Sequence, residues 1–477
     1  MLKFAREHFF GNYYRLKFQK IHYKYFHSMA NVIKLHKGLN INLKGKAKDE
    51  MVVVRRSDEF ALSPSDFPGI IPKVAVKEGD HILAGEALFY NKNYPEVKYA
   101  SPVSGIVSAI VRGERRKVLF VKIKADEKQE FHDYGKANPN SLNAEQIKEK
   151  LLEAGLFGYI NQLPYAVSTL PSTQPKGIFV SALRDMPLAA DFEIELKGNE
   201  QAFKTGLDAL SRIAPVHLGV GVKQTSETLT NVEDIDLNVF DGPCPAGNVG
   251  VQINHISPIN KNEVVWTVDP SAVIFIGRLF LTGKVDLTRT IAIAGSMVKN
   301  PAYSEVLVGT RIKDLLDGRL NATEHIRIIN GNPLTGHKDS IEGYLGAHTS
   351  EVTVIPEGDN ADEILGWILP RTKQFSVSRS YFSWFTPHKS YDLDARIKGG
   401  ERHIIMSGEY DKVLPMDIYA EYLIKAIISG DIDKQEQLGI YEVAPEDFAV
   451  AEFVDSSKLP LQKIVREGLD TLRKENA

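Results

Sequence analysis

The one cysteine of the chain, Cys244, lies in the stretch FDGPCPAGNVG, Phe240 to Gly250, between two prolines and among glycines at 242, 247 and 250. Three chemistries could use such a stretch. A phosphate cradle of the G-x-x-x-x-G-K-S/T kind needs converging backbone N–H groups, a lysine for the outer oxygens and a hydroxyl for magnesium. Counted from Gly242, the lysine and hydroxyl positions are Asn248 and Val249, and Pro243 and Pro245 have no N–H to donate. A nucleophilic thiol needs a base and an electropositive pocket. His255 is the nearest histidine in sequence, and no further group supports a dyad. The third use is structural: a small residue in a rigid Gly–Pro turn, which is the reading the residues favour.

Other chemistry-bearing residues are scattered. The 13 histidines lack the H-E-x-x-H or H-x-H spacing that presents two ligands to one metal, so no metal ligand and no catalytic residue is assigned. Asp431 with Asp433, and Asp359, Asp362 and Glu363, sit in polar turns and read as solvated surface charge. Gly219 and Gly221 form G-x-G after a strand pattern, but Lys223 and Gln224 follow without a third glycine. The run FSVSRSYFSWF (375–385) gathers aromatics around Arg379; it could stack on an aromatic ligand, fill a core or form a subunit interface.

These residues need elements to hold them. At 477 residues the chain exceeds one core, which predicts two to four domains. Hydrophobic content of 43% with 25% charged residues describes a globular protein, and a net charge of −3 argues against a general nucleic-acid binder. One cysteine excludes a disulfide framework, a cysteine-held zinc and an iron–sulfur cluster held by this chain alone, and suits a reducing compartment. The longest apolar run, VIFIGRLFL, is cut by Arg278 and is too short to span a bilayer.

Residues 70–125 read as short strands between glycine turns; "KEGD…GEALF" and "SPVSGIV" resemble the barrel-sandwich hybrid of biotinyl and lipoyl carriers. The hairpin tip NKNYPEVK has no Met-Lys pair, so Lys92 reads as a turn lysine rather than a carrier lysine. Helical spacing at 143–160 and 200–213 alternates with strand runs GIFVSAL and VHLGVGV, which predicts an α/β unit. Residues 289–336 read as strand, Pro301 turn, strand, short helix at Arg311–Leu316 and strand, fitting a small β-grasp module. Amphipathic helices close the chain. Residues 1–28, basic and aromatic with Glu7 the only acid, have no apolar signal-peptide core. They read either as an arm for an anionic membrane surface or as sequence upstream of a start at Met29.

Laid in order, IKLHKGLNINLKG, KVAVKEGDHILAGEALF, YASPVSGIVSAIVRG, VFDGPCPAGNVG, IGRLFLTG, IAIAGSMVKNP, FSVSRS and YDKVLPMDI resemble the A-subunit family of the Na⁺-translocating NADH:quinone reductases. The resemblance runs from about Val32 to the end. It implies a multidomain α/β chain: a barrel-sandwich hybrid over 29–130, a Rossmann-like domain over 131–286, a β-grasp module over 287–374 and a mainly helical domain over 375–477. It further implies a peripheral subunit on the cytoplasmic side of a bacterial inner membrane, with five partner subunits, B to F, and quinone as substrate. NADH, flavins and iron–sulfur centres would belong to the partners, and the isolated chain would not turn over by itself. Flavin-binding relatives in the Rnf complex and in respiratory complex I carry a GRGGAGFPTG-type loop and cysteine clusters, and this chain has neither. Residues beside which a quinone would be sought are Gly242, Gly247, Phe375 and Arg379. Two alternatives stand: a docking subunit with no ligand of its own, and a stand-alone nucleotide-dependent enzyme resting on the glycine patterns alone.

Overall fold

The computed structural model describes residues 31–359, 374–379, 382–386 and 388–476. The extension at 1–28, Met29, Asp362 and Glu363 lie outside the described residues.

The first part is built from two antiparallel sheets. One orders Glu59–Leu62, Val118–Ala125, Gly105–Arg112 and His81–Ile82; the other orders Pro72–Val74, Ala87–Asn91 and Tyr94–Ala100. Alternating side chains of these strands meet in a shared interior, where Tyr99 lies 4.3 Å from Phe67 and 4.9 Å from Phe89 between ring centroids. Lys92 stands exposed in the turn between Ala87–Asn91 and Tyr94–Ala100.

The strand and helix alternation after residue 143 produces a seven-stranded sheet. Its order is Asn31–Lys34, Asp236–Asp241, Val216–Gly221, Ile178–Ser181, Val265–Val268, Ile160–Leu163 and Val167–Ser168. The first five run parallel; Ile160–Leu163 is antiparallel to Val265–Val268, and Val167–Ser168 is antiparallel to Ile160–Leu163. The strand pattern at residues 31–34 is thus a strand, but it pairs with Asp236–Asp241 rather than with the antiparallel sheets that follow it in sequence. From Ile178–Ser181 the chain adds two strands on one side, then crosses to place Val265–Val268 on the other. That reversal opens a crevice at the carboxyl ends of Ile178–Ser181 and Val265–Val268.

Helices Glu200–Ser211 and Pro270–Thr282 cross over this sheet at two glycines. A side chain on Gly277 would collide with the Ala202 carbonyl, and one on Gly206 with the Val273 carbonyl. Pro270 at the first helical position, the Asp269 cap (Ser271 N–H to Oδ1, 2.9 Å) and left-handed Gly283 (φ 77°) fix both ends of the second helix.

The expected turn at Gly242–Gly250 is shorter than the sequence implies. It ends at Asn248, and Val249–Ile256 is helical, so Gly250 lies within a helix. The reason is packing: without a side chain, Gly250 lets this helix close on the buried Asp447.

The next sheet orders Ala302–Leu307, Thr288–Ala294, Glu351–Pro356, Ile326–Asn330 and His337–Asp339, with the central pair Thr288–Ala294 and Glu351–Pro356 parallel. Helix Ile312–Leu316, one residue shorter than expected, buries Ile312, Leu315 and Leu316 against Ile291, Ile293, Val352 and Val354. From Tyr410 on the chain is helical; Leu461–Glu475 packs Val465, Leu469 and Leu472 against Leu423 and Ile424 of Ala420–Ser429.

The helix crossing yields a test. Alanine is about 1 kcal/mol better than glycine inside a helix, but forced overpacking costs roughly 1–3 kcal/mol. Gly277→Val, which adds bulk and loses most of that propensity gain, is expected to destabilise the protein by about 2–3 kcal/mol. Denaturant unfolding measures this, and an unchanged midpoint would refute the backbone-to-backbone crossing.

Candidate functional site

A cavity of about 590 Å³ occupies the crevice at the reversal point. Four parts of the chain build it. Leu183 to Met186 follow strand Ile178–Ser181, and Gly247 and Asn248 follow Asp236–Asp241. Asp269 follows Val265–Val268, while Asn330 to His337 and Gly346 to Glu351 come from the third sheet. Asp66 and Glu446 close the lining from the first domain and the carboxy-terminal part.

A buried ionic network holds these parts together. The Arg184 guanidinium donates to Glu195 Oε2 (3.0 Å) and Ser271 Oγ (2.9 Å) and reaches Asp269 Oδ1 at 3.4 Å. Ser271 donates in turn to Glu195 Oε2 at 2.8 Å. Arg289, 2% exposed, donates to Ser271 Oγ (2.9 Å), Ser350 Oγ (3.1 Å) and the Ala347 carbonyl (3.1 Å). The network therefore ties the helix after the reversal to the third sheet. Burial pushes the Asp269 carboxyl up, but Arg184, Arg289 and His348 outweigh it and hold the group below the ordinary carboxylate range.

Other carboxyls facing the cavity are shifted the opposite way. Burial raises Asp66 to about 7, with Asp339 adding to the shift and the Ala347 N–H (2.9 Å) opposing it. Although Asp66 as a whole is only partly covered, its carboxyl lies among buried atoms. Burial raises Asp185 to about 6. The Gly247 and Ala246 amides favour its charge, yet neither aligns into a hydrogen bond, and both carboxylate oxygens are buried without a partner. His348 is driven down to about 4 by burial, with Arg289 assisting and Asp269 opposing; its Nε2 is likewise buried and unpartnered. Unsatisfied buried atoms of this kind call for a water, an ion or a ligand. Among the described residues no group of three or more His, Cys, Asp or Glu side chains could hold a metal ion.

The sequence-derived residues divide. Gly247 lines the cavity, where a side chain would come within 2.7 Å of Asp185 Oδ1. Gly242 instead packs on Leu35, its missing side chain leaving room at 2.6 Å from the Leu35 Cβ. Phe375 packs against Tyr391 and Phe453 at ring-centroid distances of 5.5 and 6.0 Å. Arg379 lies over Trp384 at 5.8 Å. Neither lines the cavity. Cys244 is 1% exposed, beside Met186 Sδ at 3.6 Å, and burial with the nearby Asp185 pushes its thiol well above the usual range. His255 hydrogen-bonds the Val251 carbonyl through Nδ1 (2.9 Å). The stretch is a tight strand-to-helix connection around an inert thiol. Sequence reasoning missed Asp66, Arg184, Asp185, Asp269 and His348. A signal existed for two stretches: SALRDM and DP each follow a buried strand run, where open α/β sheets place ligands.

The sequence matches three family profiles in order: the NqrA N-terminal barrel-sandwich hybrid domain at 33–126, the NqrA second alpha/beta domain at 142–285 and the NQRA C-terminal domain at 290–340. It is 33% identical over 449 residues to the A subunit of the Na(+)-translocating NADH-quinone reductase of Yersinia pestis bv. Antiqua, covering 93% of this chain and 100% of that one. The chain belongs to that NqrA family. The corresponding A subunits of Neisseria meningitidis serogroup B (33% over 451 residues) and Haemophilus influenzae (34% over 451 residues) match over the same shares of both chains. A solved NAD+-reducing [NiFe]-hydrogenase overlaps 39% of the chain and 41% of its own at 11% identity and a TM-score of 0.28, too low to carry an argument.

In this NqrA family member the raised Asp66 makes stability depend on pH. An unfolded aspartate ionises near 3.8, whereas the folded carboxyl does so near 7. Asp66 therefore costs nothing below about pH 4, and its penalty grows as pH rises towards 7. Asp66→Asn keeps an acceptor for the Ala347 N–H and removes the penalty. Relative to the unsubstituted chain, it is expected to gain about 1–2 kcal/mol between pH 5 and pH 7. Unfolding at both pH values checks this; a pH-independent difference would refute the shift.

Proposed function

We propose that this chain takes part in quinone reduction within a sodium-pumping NADH:quinone reductase, with no flavin or iron–sulfur cluster of its own. The observation that carries the reading is the match to A subunits of such reductases along their whole length. Its parts act as a barrel-sandwich hybrid, a Rossmann-like domain, a β-grasp module and a helical closing region, divided near residues 130, 286 and 374. Five partner subunits, B to F, hold the flavins and clusters and pass electrons to quinone. Within the same reading the chain is peripheral, on the cytoplasmic side of the membrane; among the described residues no helix is long and apolar enough to cross one.

Cavity charge supports the cofactor-free part. Five carboxyls line it (Asp66, Asp185, Asp269, Glu351 and Glu446), with Arg184 the sole lysine or arginine among the lining residues and already paired with acids. The lining therefore has no unpaired lysine or arginine to meet a nucleotide phosphate. The second reading, a docking subunit without a ligand, draws on the exposed aromatics Phe382, Trp384 and Phe385 (47–62% exposed), which suit a partner contact.

The isolated chain is expected to show no visible absorbance from bound flavin or cluster. In the assembled complex, a photoreactive azidoquinone is expected to label this chain. A flavin spectrum would remove the cofactor-free part. Labelling confined to other subunits would leave the docking reading.

A further inference from the structure

The hairpin that joins Gly105–Arg112 to Val118–Ala125 in the first domain ends in RGERRK, residues 112–117. Its turn, Glu114 to Lys117, is closed by the Lys117 N–H donating to the Glu114 carbonyl (3.1 Å) and the Gly113 N–H donating to the Lys117 carbonyl (2.9 Å). Both central residues are left-handed, Arg115 at φ 53° and ψ 27°, Arg116 at φ 60°. Tight hairpin turns of this hand favour Asn-Gly, Asp-Gly or Gly-Gly, because a Cβ crowds the following carbonyl oxygen. Two consecutive arginines there work against local stability. Both are exposed, so packing of the hairpin does not repay them.

Charge gathers at the same place. Arg112, Arg115, Arg116 and Lys117 are all exposed, with Glu114 the only acid in the run. The Arg112 guanidinium donates to the Arg116 carbonyl at 3.2 Å. Among the described residues none of the four cations pairs with a carboxylate, whereas in the same domain Lys122 meets Glu59 and Arg55 meets Asp58, each at 3.5 Å. Leu119, 38% exposed, lies against Gly113 beside the turn.

We propose that this turn is a contact point for an anionic phospholipid surface, with Arg112, Arg115, Arg116 and Lys117 among the headgroup phosphates and Leu119 at the acyl boundary. The inference rests on the proposed peripheral place of this chain at a membrane and is independent of its part in quinone reduction. A guanidinium fork matches a phosphate in two parallel hydrogen bonds. A specific protein face would instead need about 800 Å² on each side, centred on buried anchors, and the apolar group beside this narrow tip is Leu119. The chain as a whole carries a net charge of −3, so an anionic bilayer repels most of it and draws in the basic turn. Each cation near such a surface strengthens binding about fivefold, which offsets the left-handed arginines.

The test measures sedimentation of the full chain with vesicles of phosphatidylglycerol and phosphatidylcholine, against vesicles of phosphatidylcholine alone. Arg115→Asn combined with Arg116→Gly puts favoured residues into the turn. This variant is expected to melt higher, by roughly 2–4 °C, while its affinity for the anionic vesicles falls at least tenfold. Arg115→Lys combined with Arg116→Lys keeps the charge and should keep most of the binding. Residues 1–28, also basic, are present in every variant and cancel in the comparison. Binding of the unsubstituted chain should weaken as salt screens the charges.

Equal affinity of the first variant and the unsubstituted chain for anionic vesicles would overturn the lipid contact, as would binding that ignores lipid charge. A melting temperature that does not rise would remove the left-handed turn from which the assignment starts. In the membrane-embedded complex, carbodiimide coupling of Lys117 to a carboxylate of a partner subunit would give the tip to a protein face and overturn the lipid contact as well. These readouts involve no quinone, so the lipid contact can fail while the proposed function stands.

Discussion

The Arg184–Glu195–Ser271–Asp269–Arg289 network is the constraint on which the architecture turns. Ser271 is its pivot, accepting from both guanidiniums and donating to Glu195, so Arg289 of the third sheet keeps its Ser271 bond only when both sheets are in place. Such a buried set need add little net stability, because desolvation offsets much of the attraction. Its contribution is to relative position. With Arg289 also bound to Ala347 and Ser350, the third sheet is held across the mouth of the parallel sheet in one arrangement. The cavity exists because the two sheets meet there without closing.

The same network sets the electrostatics of the crevice. Both guanidiniums are spent on Asp269, Glu195 and backbone or hydroxyl acceptors, which leaves little positive field for the remaining acids. Asp269, paired with the arginines, is held ionised; Asp66 and Asp185, which have no ion pair with them, are pushed up by burial. One cavity thereby separates its carboxyls into a charged structural one and two that titrate near neutrality.

Much of the scaffold was legible in the chain, because strands buried on both faces and amphipathic helices announce themselves by period. GIFVSAL, VHLGVGV and 200–213 are examples, and the strand–turn–strand–helix order after residue 289 is another. The site was not, since it is assembled from residues 66, 185, 269, 348 and 446, none adjacent in sequence and none in a motif. Gly247 was reached because the odd composition of FDGPCPAGNVG drew attention to it. Gly242, in the same stretch, serves only the packing on Leu35. Aromatic density around Phe375 and Arg379 marks local stacking away from the cavity, so composition alone could not separate a ligand platform from surface packing.

The strand-to-helix turn at 242–248 occupies the place where α/β proteins often build a phosphate cradle, and its geometry shows how little separates the two uses. A cradle needs free N–H groups at a helix start and room for an anion. Here the start of Val249–Ile256 faces inward to protein acids. Asn248 donates its side-chain amide to the Glu446 carbonyl (3.0 Å) and Asp447 (3.3 Å), and Gly250 admits the Asp447 carboxyl where a phosphate would otherwise approach. Asp185, beside Gly247 and Ala246, takes the favourable field of the remaining amides. The chain's own carboxyl groups thus fill the place of the anion, with burial pushing Asp447 up to about 8. A turn closed from within by protein carboxyl groups leaves no room for an anion, and Asn248 serves there as a donor to Glu446 and Asp447.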